Sequence, residues 1–108
     1  MKKIDTEQLA GAAQKSFSLA RNGRLKPAQQ NSMLTQGMRL RASLMSALSA
    51  EFSDSVKQVD EANQQLMALN AWLTETNTAI SNIADTIKQA AAAASLVEKL
   101  LKKAVSVL

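Results

Sequence analysis

From Met38 to Leu108 apolar side chains return every three and then four residues, over seventy-one positions that contain no proline or glycine. Counted as a heptad, Met38, Met45, Phe52, Val59, Leu66, Leu73, Ile80, Ile87, Ala94, Leu101 and Leu108 occupy the a positions, and all eleven are apolar. The d positions are Arg41, Leu48, Ser55, Ala62, Leu69, Thr76, Ile83, Ala90, Val97 and Ala104, of which seven are apolar. Eighteen apolar seam positions of 21 exceed the roughly ten expected from a composition that is 46% hydrophobic. A straight helix drifts by about 20° per heptad, so a register kept this long predicts helices that supercoil around a partner. The expected fold is all-α: a short N-terminal helix, a basic Gly/Pro elbow, then a long heptad-patterned helix in an oligomeric coiled coil or helical bundle. Residues 1–27 form the helix and elbow, and 28–108 the coiled-coil-like region.

The first helix opens at Ile4–Leu9, where Asp5 can cap, Gln8 can reach back as the capping-box partner, and Ile4 and Leu9 stand at staple positions. It runs to about Arg21 with Leu9, Ala13, Phe17 and Ala20 on a narrow apolar side. Asn22–Pro27 breaks the pattern. Gly23 suits the left-handed position after a helix, and Pro27 suits the first turn of the next. Beyond it, Met33, Met38 and Met45 with Leu34, Leu44 and Leu48 make a soft, Met-rich surface of the kind that adapts to several partners or fills a core stripe. Gly37 marks a place where the helix can bend.

Thr74–Thr78 has poor helix propensity and is the only later point at which a turn is expected. The long helix therefore either continues or folds back near Thr76 into a hairpin. Asn63, Asn70 and Asn77 recur at e positions, opposite Gln58 and Gln65 at g, so pairing there is expected through amide hydrogen bonds instead of charges. Trp72, the only indole, is the candidate interface anchor. The expected oligomer seam is Met45, Leu48, Phe52, Val59, Leu66, Leu69, Leu73, Ile80, Ile83, Ile87, Val97, Leu101 and Leu108. The last thirteen residues are amphipathic, with Lys99, Lys102 and Lys103 opposite an aliphatic face.

Composition narrows the chemistry. Cysteine and histidine are absent from the 108 residues, which removes thiol nucleophiles, imidazole bases and the usual zinc ligands. The acids Glu51, Asp54, Asp60, Glu61, Glu75 and Asp85 all fall outside a and d positions, and Glu51 and Asp54, a close pair that could act as acid and base, have no histidine or apolar pocket beside them. No catalytic residue, metal ligand or cofactor is expected. Charge is uneven: residues 1–41 carry a net +6, residues 42–97 a net −4 and residues 98–108 a net +2, a layout that can attract a staggered or antiparallel copy. Lys2 and Lys3 are followed by no apolar h-region, and no window is long and apolar enough to span a bilayer. The expectation is a protein that is cytoplasmic or exported by a signal-peptide-independent route.

These features predict a non-enzymatic subunit that self-assembles or partners another helical protein. In composition, small Ala-, Ser- and Gln-rich helical chains without cysteine resemble subunits or chaperones of bacterial secretion machines and phage particles, which implies a structural subunit and, for some, a filament. Two alternatives use other residues. A membrane-active protein would lie on anionic lipid through Leu96–Leu108 and its lysines. A nucleic-acid binder, less favoured because no aromatics interleave with the charges, would use Arg21, Arg24, Lys26, Arg39 and Arg41.

Overall fold

Asp5 opens the first helix as the sequence predicts: its side chain accepts a hydrogen bond from the Gln8 amide at 3.1 Å, and α1 runs Thr6–Ala20. The reciprocal half of the capping box is not made. The Asp5 amide donates instead to Asn63 Oδ1 at 2.8 Å, and the Gln8 side chain accepts from Asn70 Nδ2 at 2.7 Å. A distant helix thus satisfies the donor that a local glutamine was expected to cover. In the computed structural model, which describes residues 1–104, three further α-helices follow: α2 Pro27–Ala47, α3 Lys57–Thr76 and α4 Ile83–Leu101, the last preceded by a 3-10 turn at Ile80–Asn82.

Pro27 starts α2 because its fixed φ fits a first turn and its missing N–H is not needed there. Gln29 Oε1 accepts from the Lys26 amide at 3.0 Å and completes that cap. Gly23 does not take the left-handed conformation expected of it; no described residue has a positive φ. The elbow closes through side chains, with Asn22 Oδ1 accepting from the Arg24 amide and Gln30 Nε2 donating to the Asn22 carbonyl.

The long helix predicted over 28–108 is divided. Helix α2 ends at Ala47, and residues 48–56 include an extended stretch in which Phe52 pairs backbone to backbone with Lys2, at 2.7 and 2.9 Å. Ion pairs fasten the N-terminal residues to the same strap and to α3: the Met1 amine to Asp54 and Lys3 to Glu51 in the strap, and Lys2 to Asp60 on α3. Part of the base-to-acid attraction expected between copies is therefore made inside one chain. A heptad count passes through Phe52 without interruption, but a seven-residue period has meaning only where the backbone is helical. Helix α3 then stops at Thr76, so the alternative of one continuous helix through this point does not hold. There the buried Thr76 and Thr86 hydroxyls lie 2.6 Å apart. One donates to the other, whose own proton goes to the carbonyl four residues back, Trp72 or Asn82.

Helix α1 touches α2 and α3, and α4 touches the same two; α1 with α4, and α2 with α3, share no contact among the described residues. The four helices stand at the corners of a square with α2 and α3 on one diagonal, in a body 45 × 21 × 18 Å. Helices α1 and α3 run in the same sense, as Lys2 meets Asp60, Asp5 meets Asn63 and Gln8 meets Asn70. Small residues set the close approaches: a Cβ on Gly37 of α2 would stand 2.9 Å from the Phe17 ring of α1. The core holds Leu9, Leu19, Met33, Leu40, Phe52, Val59, Leu66, Leu69, Leu73 and Val97, each at most 1% exposed. Each such side chain contributes about 1.5–3 kcal/mol by leaving water. The ribbon expected to need a second chain is thus largely buried within one.

Candidate interaction surface

Helix α2 carries two apolar stripes. Met33, Gly37, Leu40 and Ala47 are buried with Ser43 against the bundle. The other runs Leu34, Met38, Arg41, Met45 and Leu48 in steps of four and three, and these side chains face solvent. Exposure of the apolar four is 42%, 56%, 66% and 60% in that order, and they are most of the exposed large hydrophobic residues of the described chain, the others being Met1 and Met67. The line is about 21 Å long at 1.5 Å per residue. These are the a and d positions of the sequence register. That register supplies the core on α3, where Val59, Ala62, Leu66, Leu69, Leu73 and Thr76 are buried, yet on α2 it points outward.

Loop geometry causes the reversal. Residues 48–56 are not helical, so nothing obliges α2 and α3 to turn the same register inward. The expected seam residues consequently divide. Phe52, Val59, Leu66, Leu69, Leu73, Ile83 and Val97 are buried, Ile80, Ile87 and Leu101 are half-buried, and Met45 and Leu48 are exposed. Leu108 lies outside the described residues. On α4 the buried line is Ile83, Thr86, Ala90, Ala93, Ala94, Val97 and Leu100, so Ile87 and Leu101 sit at its edge.

The charges around the stripe are basic. Helix α2 contains no acid; Arg41 is exposed in the middle of the stripe, and Arg21, Arg24 and Lys26 are exposed at the N-terminal elbow. Lys99, Lys102 and Lys103 are exposed on and just after α4, with Lys102 lining a shallow groove with Ala42, Ser43, Ser46, Glu98 and Leu101. Arg39 is engaged: its Nη2 and Nε donate to the two Glu98 oxygens at 2.7 and 3.1 Å, Nη1 donates to Gln36 and Nη2 to Ser95. This fork holds the Glu98 carboxyl below its ordinary range, against the opposing effect of burial, and raises the Arg39 guanidinium. It ties α2 to α4.

Trp72 is half-buried on α3. Two of the three ladder asparagines are used within the chain: Asn63 donates to the Lys3 carbonyl, and Asn70 donates to the Gln8 carbonyl and accepts from Lys15, while Asn77 is exposed. Among the described residues no group of His, Cys, Asp and Glu side chains is placed to hold a metal ion, and no helix is long and apolar enough to cross a membrane. The signal for the outward stripe is present in the sequence as a second apolar line on α2, one residue out of phase with the buried one. No family model matches this chain, and neither a curated protein nor a solved structure is significantly similar to it.

Proposed function

We propose that this protein is a non-enzymatic helical subunit that works by association, docking through the outward stripe of α2. The observation that carries the reading is the exposure of Leu34, Met38, Met45 and Leu48 along one helix edge, where a bundle with no partner gains nothing from large apolar side chains. Methionine suits such a face because its unbranched, polarisable side chain repacks against different surfaces. A role in a bacterial secretion machine or a phage particle rests on compositional likeness alone. The membrane and nucleic-acid alternatives have less behind them, since Val97 and Leu100 are turned into the core and Arg39 is held by Glu98.

Sedimentation velocity over a wide concentration range tests the proposal. The wild-type chain is expected to associate as concentration rises, and a Met38→Asp/Met45→Asp variant to remain a monomer with an unchanged helical circular-dichroism spectrum. A wild-type chain that stays monomeric throughout would overturn the self-assembly reading.

A further inference from the structure

Resting on that reading, we infer that the occupant of the α2 stripe is the outer face of α3 in a second copy, so that copies add head to tail through two different surfaces. On α3, Asp60, Gln64, Met67, Ala71 and Thr74 are exposed in the same steps of four and three, over an equal span, as Leu34 to Leu48 on α2 and its C-cap. Met67, 60% exposed, stands in the middle of that line. Beside it Ala71 lines a shallow groove with Thr74, Glu75 and Lys15 of α1, and Ala68 is small and exposed, so a neighbouring helix can approach closely there.

Charge selects this pairing over the symmetric one. Helix α2 bears Arg41 and an Arg39 already paired with Glu98, and no acid; α3 after Lys57 bears Asp60, Glu61 and Glu75 and no base. Asp60 is paired with Lys2, whereas Glu61 and Glu75 are exposed and form no ion pair among the described residues. An antiparallel α2–α2 contact centred on the stripe would set Arg41 against Arg41 of the second copy, like charge on like. An α2–α3 contact centred in the same way removes that clash, because Arg41 then falls against Met67 on a helix whose charges after Lys57 are all acidic. It also leaves an unused α2 stripe on one copy and an unused α3 face on the other, so assembly continues until a ring closes or a filament grows. The footprint is one helix wide, about 10 Å by 21 Å, well below the ~800 Å² per partner of a standard stable interface. Each contact is therefore weak, and assembly depends steeply on concentration.

Mixing single-face variants tests the mode of contact. Met38→Asp/Met45→Asp disables α2 and Met67→Asp disables α3; all three positions are exposed, so the bundle itself is little affected. Each variant alone is expected to sediment as a monomer, and an equimolar mixture as a dimer that grows no further, because each supplies the face the other lacks. Should Met67→Asp assemble as the wild-type chain does while the α2 variant does not, the head-to-tail inference is overturned and the association reading survives. A mixture that stays monomeric, in conditions where the wild-type chain assembles, also overturns the inference. As a second route, Arg41→Glu and Glu61→Lys/Glu75→Lys should each be monomeric and should assemble when mixed; failure of that rescue counts against α3 as the partner.

Discussion

Two glycines of one small chain are expected to respond in opposite ways to the same methyl group. Gly37 lies inside α2, where alanine would gain up to about 1 kcal/mol in helix propensity, but its Cβ would meet the Phe17 ring at 2.9 Å. Overpacking of this kind costs about 1–3 kcal/mol, so Gly37→Ala should lower stability on balance. On a Phe17→Leu background, where the ring is gone, the loss should shrink or reverse. Gly23 has no positive φ and nothing within 4 Å of an added Cβ. Gly23→Ala should raise stability by about 0.4–1 kcal/mol, through the unfolded chain. Urea denaturation of the four variants against wild type checks both signs.

Between elements, the Arg39–Glu98 fork gives the α2–α4 contact a pH dependence. The Glu98 carboxyl is held below its ordinary value chiefly by the hydrogen bonds from Arg39, so its contribution is complete above the unfolded carboxyl's pKa and is lost as pH falls through the folded one. Arg39 is shifted upward and stays charged throughout that window. The two side chains are 30% and 40% exposed, and solvent screening limits the pair to about 0.2–1 kcal/mol. Glu98→Gln should therefore be slightly less stable than wild type at neutral pH, with the gap closing in acid as wild-type Glu98 takes up its proton. Denaturation midpoints at neutral pH and on the acid side of the carboxylate range measure the difference; a gap that widens in acid would contradict the assignment.

At the scale of the whole molecule, the sequence shows some features plainly and conceals others. The all-helical class follows from the period of its apolar residues, and Asp5 and Pro27 mark where α1 begins and α2 starts, because caps and turn residues act on immediate neighbours; for the elbow between them the sequence points to a left-handed Gly23, whereas Asn22 closes it. The break at 48–56 is hidden because Leu48 and Phe52 keep the seam apolar and Ser49 and Ser53 read as ordinary outer positions. What makes that segment extended is Lys2, fifty residues away along the chain, and no local pattern reports it. The outward turn of Met38 and Met45 is concealed for a related reason: periodicity shows that a helix has an apolar face, but only the packed bundle decides which of two faces receives a neighbour.

The bundle shelters Met33 completely while leaving Met1, Met38, Met45 and Met67 open to water, and thioethers are chemically unequal when their access to solvent differs this much. Mild peroxide should add oxygen to four of the five sulfurs and spare Met33 until the chain is unfolded, a count that peptide mass spectrometry reads directly. Each sulfoxide would place a polar group on the outward stripe, so oxidation should weaken the proposed association, and methionine sulfoxide reductase should restore it.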